Sequence, residues 1–163
     1  MNRTLLLLSS LTAASCLPCQ EVGLELRSST GPFAATAGSV CVPVNCAPGP
    51  QETLTVAAGS VVSAHVFGVP QTPYLLGLSG TLQCQTLPGF GNQLGLGGAP
   101  VLLGGVLPAG GFLCGGAVSS AAIFGIAVPA SLPPGSQFVF QGLAVSPQSQ
   151  QFTFTTPVLL VTS

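Results

Sequence analysis

Residues able to carry acid–base chemistry are few in this sequence, and they lie far apart along the chain. They are Glu21, Glu25, Glu52 and His65, the single histidine. A general acid or base must lie within hydrogen-bonding reach of the group that it serves. No Gly-x-Ser-x-Gly motif accompanies them to indicate a serine nucleophile. We therefore interpret the three glutamates as solvated surface charge and predict that the chain is not an enzyme.

Among these candidates, His65 is the residue that could take the largest number of chemical roles. It lies in the stretch Ser-Val-Val-Ser-Ala-His-Val-Phe, where an alternating strand pattern places Val61, Ser63 and Phe67 on its face. A functional histidine here would be a metal ligand or a general base. The alternative is a histidine at a sheet surface or packed against a loop, and with no second ligand nearby in sequence we favour that interpretation.

Six cysteines give the sequence its other reactive groups: Cys16, Cys19, Cys41, Cys46, Cys84 and Cys114. In an exported chain such cysteines favour disulfides. We predict one disulfide between Cys84 and Cys114 and a second between Cys41 and Cys46. The Cys16-x-x-Cys19 pair resembles a metal or redox motif but has no second pair of the same spacing, so zinc is disfavoured. We expect no metal and no cofactor.

The first residues have the layout of an export signal. Arg3 precedes a short apolar run, and Ala13-Ala14-Ser15 supplies small residues before Cys16. This predicts a signal peptide over residues 1–15 and a single secreted domain over residues 16–163. Lipidation at Cys16 is the alternative to plain cleavage. The expected location is secreted or at the cell surface of a bacterium, either as a lipoprotein or as a free protein.

Charge is almost missing from the sequence, and this excludes several classes of function. Two residues are basic and three acidic, and none of the five lies after position 52. Nucleic-acid binding needs several cations to neutralise phosphates, so we expect no nucleic-acid partner. The Gly-rich stretch 89–116 lacks a phosphate-binding motif. No stretch after the signal is apolar for the roughly 20 residues of a membrane-spanning helix.

Short alternating stretches separated by turn residues indicate an all-β fold. In the first of them Leu24 and Leu26 take one face while Glu25 and Arg27 take the other. The predicted strands are 22–28, 39–44, 53–58, 60–67, 74–78, 81–86, 101–107, 117–129, 137–145, 151–155 and 158–162. This spacing favours an antiparallel β-sandwich, jelly-roll or Ig-like, with about 8–10 short strands. Pro43, Pro100 and Pro157 suit strand starts or edges.

A family resemblance begins at Tyr74-Leu-Leu-Gly-Leu and is clearest over residues 126–163. There the chain runs Ile-Ala-Val-Pro-Ala-Ser-Leu-Pro-Pro-Gly-Ser-Gln-Phe-Val-Phe-Gln-Gly-Leu-Ala-Val-Ser-Pro and ends in apolar strand residues. This resembles the C-terminal β module of uncharacterised secreted proteins from planctomycete-type bacteria. Ser146-Pro147 stands where that module usually has Asp-Pro, and Thr155-Thr156-Pro157 replaces its usual Ser-Asn. The resemblance implies a secreted β-sandwich and implies no activity.

These observations predict a non-enzymatic secreted or cell-surface module with a structural or interaction role. The alternative is a carbohydrate- or ligand-binding module of the same fold. The pairs Phe138/Phe140 and Phe152/Phe154 could form a sugar-stacking platform, but we interpret both as sandwich core. We expect self-association or a partner on the cell envelope, because uncharged sheet edges do not repel a matching strand. The strands at 151–155 and 158–162 combine β-propensity with no side-chain charge, the composition associated with pairing between molecules.

Overall fold

A computed structural model of the chain describes residues 22–28, 35–39, 51–90, 92–114, 117–147 and 149–163, with side chains at all of these except 39, 112–114 and 117. This part of the chain contains strands, turns and bends and no helix. Its strands are β1 (Gly23–Ser28), β2 (Ala35–Ser39), β3 (Glu52–Val56), β4 (Val61–Gly68), β5 (Pro73–Ser79), β6 (Leu82–Thr86), β7 (Gln93–Leu96), β8 (Val101–Val106), β9 (Phe112–Cys114), β10 (Ala117–Ala127), β11 (Gln137–Val145), β12 (Phe152–Phe154) and β13 (Val158–Thr162).

The strands form two large sheets and one hairpin. The first sheet has the strand order β2-β1-β4-β10-β9, and the second has the order β3-β13-β11-β5-β8, with β12 also paired to β11. The pairs are antiparallel except for β13 with β3, which is parallel. Among the described strands, β6 and β7 pair with each other and with no other strand. The predicted all-β, antiparallel sandwich is confirmed.

The core lies between the inner faces of the two sheets. Leu24, Leu26 and Val66 line it from the first sheet, and Phe140 and Leu160 line it from the second, all at most 2% exposed. These residues occupy every second position of their strands, as a strand buried on one face requires. Each such side chain contributes roughly 1.5–3 kcal/mol when fully buried. The alternation read from residues 22–28 is therefore the pattern that assembles the sandwich.

The β6–β7 hairpin lies on the outer face of the second sheet. Leu96 is 4% exposed, and a Cβ added at Gly77 of β5 would collide with its side chain. Ser79 Oγ donates to Gly97 O just beyond β7. The second sheet is thus covered on both faces at its centre, and the absence of a side chain at Gly77 is what permits the close approach.

Several predicted strand bounds differ from the observed ones. Strand β2 is described over Ala35–Ser39 and so begins four residues before the start of the predicted strand 39–44, and residues 40–44, with Pro43, lie outside the described part. Strands β7 and β9 were not predicted, because they are short and lie within the Gly-rich stretch 89–116. The described residues form 13 strands, more than the expected 8–10. Pro100 and Pro157 directly precede β8 and β13, as their missing N–H groups favour.

Candidate functional site

The outer face of the first sheet brings several of the chemically capable residues together. In the register of β1 against β4, Glu25 lies opposite His65 and Arg27 lies opposite Ser63. Ile123 of β10 flanks His65 on its other side. Glu25 and His65 are 40 residues apart in sequence, so only the strand pairing makes them neighbours. The spacing of two along each strand is what puts all four polar side chains on one face.

Within this group the carboxylate pairs with the guanidinium and not with the histidine. Arg27 Nη2 donates to Glu25 Oε2 over 2.6 Å. His65 Nε2 lies 3.0 Å from Ser63 Oγ, and its ring stacks on Phe67 at a centroid distance of 6.3 Å. A serine–histidine pair of this kind can exchange a proton, but a triad also needs a carboxylate that orients the imidazole. Glu25 is committed to Arg27 instead.

The surroundings of His65 favour its neutral form. The residue is 9% exposed, and this burial is the main reason that its pKa lies below the usual value of 6.5, with the positive charge of Arg27 lowering it further. The negative charge of Glu25 acts in the opposite direction. The structure thus agrees with the interpretation of His65 as a packed histidine at a sheet surface. Within the described residues no cluster of three metal-ligating side chains occurs.

Glu52 is exposed, as expected for a solvated carboxylate, but its side chain also makes a specific contact. It is the first residue of β3, and its Oε2 accepts a hydrogen bond from Gly38 N of β2 over 2.6 Å. Gly38 has a φ of +101°, and a Cβ there would collide with Leu24 O. Strand β3 is an edge of the second sheet, and β2 is an edge of the first sheet. The Glu52 carboxylate therefore links the two edges by accepting a hydrogen bond from a backbone N–H of β2. It thereby covers one backbone N–H of the β2 edge and places a charge at the start of the β3 edge.

A second edge is covered by an amide side chain. Asn92 Nδ2 donates to Phe154 O over 2.6 Å, and Asn92 Oδ1 accepts from Phe154 N over 2.9 Å. The amide thereby imitates the two hydrogen bonds that a neighbouring strand would make to β12. Strand β13 needs no such cover, because it lies between β11 and β3. Residues 158–162 are therefore not a free edge, and the edge at 151–155 is occupied at Phe154.

Strand β8 is an edge strand that differs from the covered edges at β2 and β12. It ends the strand order of the second sheet, with β5 on its one paired side. All six of its residues are exposed, and its large apolar side chains include Val101 at 60%, Leu102 at 57%, Leu103 at 46% and Val106 at 65%. No charged residue lies in the strand. An exposed, apolar and uncharged edge of this kind is a site where another strand can add.

Two clefts of moderate size open on the described part of the molecule. One, of about 310 Å³, lies at one end of the core between β10 and the second sheet, lined by residues that include Leu78, Ile126 and Phe138. The other, of about 420 Å³, is a depression that Leu75, Phe90 and Phe152 border. Neither cleft is lined by the Glu25–His65 group. Their linings are almost wholly apolar, which suits apolar ligands more than sugars.

The aromatic pairs fall in two different environments. Phe138 packs against the core, and Phe140 is 2% exposed within it, so the prediction of sandwich core is confirmed for this pair. Phe154 is 6% exposed but lies on the outer face, in contact with Phe90. Phe152 is 40% exposed, and its assignment to the core is wrong. The hairpin covers the outer face only in part and leaves this ring at the rim.

Most of the predicted cysteine chemistry concerns residues beyond the described ones. Cys84 lies half-buried in β6 and is not a free thiol. The signal peptide 1–15, Cys16, Cys19, Cys41, Cys46, Glu21 and the Cys114 side chain lie outside the described residues. The two disulfide pairs, the cleavage and the lipidation therefore stay predictions.

Gln141 of β11 was not identified from the sequence, although it is the central polar residue of the second sheet. It is 2% exposed. Its Oε1 accepts from Gly95 N over 2.6 Å, and its Nε2 donates to Thr155 O over 2.8 Å and Gln93 O over 3.2 Å. The only signal was a glutamine in the middle of a predicted strand, where the outer face was expected to meet solvent.

The chain matches no family model, and no curated protein and no solved structure is similar to it. The described part of the chain contains no helix with the length and apolar character that crossing a membrane requires.

Proposed function

We propose that this chain is a non-enzymatic module, secreted or held at the cell surface, that acts by presenting one open sheet edge to a partner. The observation that carries the proposal is the contrast between edges. The β2–β3 side is held by Glu52, and the β12 edge is covered by Asn92. Strand β8 presents four large apolar side chains, and within the described residues no glutamate or amide side chain bonds to its edge.

The lack of charge supports the same proposal. Proteins that avoid edge-to-edge contact commonly place lysine or an inward-pointing charge on the exposed strand. This sequence contains no lysine and no charged residue after Glu52. Repulsion therefore cannot keep a matching strand away from β8. An exposed apolar surface of this kind on a small domain is typical of an interaction site.

Export and disulfide bonding belong to the proposal. A signal peptide over residues 1–15 would deliver the chain to a compartment where disulfides persist. Cys84 has a bonding partner, and we propose that this is Cys114, with Cys41 and Cys46 as the second pair. The likeness to the secreted planctomycete-type module supports the same location. Intact mass and peptide mapping without reduction test these assignments, and free thiols at both 84 and 114 would contradict the first pair.

The interaction role is tested by binding to cell envelopes. Purified protein is pelleted with envelopes of the exporting bacterium, in parallel with Leu103→Lys on β8 and Ile123→Lys on the outer face of the first sheet. Ile123 is 64% exposed, so this control adds the same charge without touching β8. We expect Leu103→Lys to weaken retention by about tenfold and Ile123→Lys to retain wild-type binding. Equal retention of all three proteins would contradict a role for β8.

A second candidate function is the binding of an apolar ligand in the cleft between the sheets. The specific observation is a volume of about 310 Å³ that side chains such as Leu132 and Phe138 line. A sugar is less suited, because Phe140 and Tyr74 are buried and, among the described aromatic rings, Phe152 alone is exposed, which makes no aromatic row. Calorimetric titration with decanoic acid tests this function, with Leu132→Trp as the variant that fills the cleft. Heat of binding that this variant removes would favour the second candidate.

A further inference from the structure

We propose that β8 pairs with β8 of a second copy of this chain, antiparallel and with Leu103 opposite its own counterpart. This inference rests on the proposed function, because it names the partner of the same edge. Pairing on a two-fold axis would join the two second sheets into one continuous sheet. Both copies would use the same surface, as a closed dimer requires.

The faces of β8 restrict the registers that such a pair can take. Val101 and Leu103 lie opposite Leu78 and Leu76 of β5 and so belong to the inner face of the sheet. Leu102, by the alternation of a strand, belongs to the outer face. A two-fold axis perpendicular to the sheet keeps inner residues beside inner residues. Two residues that face each other across the axis must therefore both have odd residue numbers or both have even residue numbers.

The sequence of β8 is complementary to itself in the register that centres on Leu103. In that register Leu102 lies opposite Gly104 of the second copy, and Val101 lies opposite Gly105 of the second copy. Leu102 and Val101 then each have a glycine across from them, where a second large side chain would compete for space, and Val106 lies opposite Pro100 of the second copy, just before the strand. Directly opposed side chains are the closest contacts across antiparallel strands. The Leu103 pair fills the centre.

Charge also favours a second copy over a charged partner. Strand β8 carries no ionisable side chain, and neither does its neighbour β5 apart from Tyr74, whose pKa burial raises above its usual value. Two copies can therefore meet at this edge without repulsion. A partner strand rich in lysine or glutamate would gain no ion pair here and would lose hydration.

The size of the contact sets its expected strength. Stable interfaces cover about 800 Å² on each partner, and pairing along the five residues 101–105 covers less than this. The exposed apolar side chains, from 46% to 65% accessible, add area on both faces. We expect a reversible dimer with a dissociation constant on the order of micromolar. Its population should therefore rise with protein concentration.

The glycines of β8 also serve the single chain, so they are unsuitable for the test. A Cβ at Gly104 would lie 2.6 Å from the Leu75 side chain, and one at Gly105 would lie 3.0 Å from the Tyr74 hydroxyl. Substitution there would disturb the packing of β5 whether or not a dimer forms. Leu103 has no such constraint, because its side chain is half accessible.

Sedimentation equilibrium of the mature protein over a range of concentrations tests the proposal, with Leu103→Lys and Ile123→Lys compared with wild type. We expect wild type and Ile123→Lys to approach twice the mass of one chain, while Leu103→Lys stays at the mass of one chain. A wild type that stays monomeric overturns the proposal. So does a Leu103→Lys variant that still dimerises. If the monomeric wild type still binds envelopes through Leu103, the proposed function stands and only the second copy is wrong.

Oxidative cross-linking tests the register and does not depend on the stability of the lysine variant. In the proposed register the two copies of residue 103 are directly opposed, within the Cα separation of about 7 Å that a disulfide tolerates. The two copies of residue 102 are offset by two positions along the strand and lie beyond that limit. We therefore expect Leu103→Cys to form a cross-linked dimer and Leu102→Cys to remain largely uncrosslinked, with the bond identified by peptide mapping. Efficient cross-linking at 102 and not at 103 overturns the register.

Discussion

A single buried glutamine, Gln141, holds the outer layer of the second sheet in place. Its amide connects β11 to Gly95 and Gln93 of the hairpin and to Thr155 beyond β12. Thr155 Oγ1 in turn accepts from Gly142 N over 2.8 Å. Hydrogen bonds among buried groups matter most through what their loss leaves unpaired. The hairpin position therefore depends on this side chain together with the Ser79 hydroxyl, which donates to Gly97 O.

Replacing Gln141 should cost more stability than its polarity suggests. Gln141→Ala leaves the Gly95 amide without its acceptor and opens a cavity, so we expect a loss of roughly 2–4 kcal/mol in the free energy of unfolding. Gln137→Ala is the matched control, since it lies on the same face of β11 but is exposed. Urea denaturation measures both. A Gln141→Ala loss no larger than that of Gln137→Ala would contradict the account.

His65 should make the stability of the protein depend on pH in one direction. Its pKa is below 6.5 in the folded state, mainly through burial and then through Arg27, against the opposing charge of Glu25. The unfolded chain therefore binds the proton more tightly, and stability is highest above pH 6.5 and falls as the pH drops through the folded pKa. The other groups packed beside the ring, Ser63, Phe67 and Ile123, do not titrate in this range.

The measurement compares unfolding free energies of wild type and His65→Gln between pH 7.5 and 5. We expect the decrease on acidification to be smaller in His65→Gln, because glutamine binds no proton in this range. An equal or larger decrease in the variant would show that another group causes the pH dependence. Reversal of the sign in the wild type would contradict the direction of the histidine shift.

Among the elements, the positions of individual strands can be recognised from the local sequence. The pairing of those strands into sheets cannot. Strands β11 and β13 have the predicted bounds 137–145 and 158–162, because alternation and turn residues mark them. Which strand lies at an edge depends on contacts between distant segments. Alternation alone therefore did not reveal that β13 is interior or that β8 ends its sheet.

The candidate site also combines features that the sequence predicts with features that only the fold determines. The spacing of Ser63 and His65 predicted that they share a face, and they do, with 3.0 Å between Oγ and Nε2. Their position opposite Arg27 and Glu25 comes from the β1–β4 register, which the sequence alone does not specify. The roles of Gln141 and Asn92 also depend on the hairpin that crosses the second sheet. Only the fold places that hairpin there.

Substitution of Asn92 tests whether its side chain covers the edge of β12. Asn92→Ala removes both hydrogen bonds to Phe154 and should accelerate amide exchange there, with a stability loss of about 1–2 kcal/mol. Asn92→Asp retains an oxygen that accepts from Phe154 N but loses the donor to Phe154 O. We therefore expect the aspartate variant to protect the Phe154 amide better than alanine does. Unchanged exchange in both variants would contradict the edge-covering role.

At the scale of the whole molecule, the near absence of charge predicts stability that is insensitive to salt. The described residues contain one ion pair, Glu25–Arg27, with the Arg27 side chain 47% exposed. Such pairs contribute between about 0.2 and 1 kcal/mol, and salt screens them. Between 0.05 and 0.5 M sodium chloride we expect the free energy of unfolding to change by less than about 0.5 kcal/mol. A decrease of more than about 1 kcal/mol, measured by urea denaturation, would contradict this prediction.

The central claim is that the molecule associates through β8 and not through its C-terminal strands. Hydrogen exchange followed by mass spectrometry, at low and high protein concentration, tests it most directly, because edge pairing protects the amides that it occupies. The account predicts that residues 101–106 gain protection as concentration rises, while residues 152–162 are protected equally at both concentrations. Protection that is independent of concentration over 101–106, or that rises over 152–162 instead, would contradict the account.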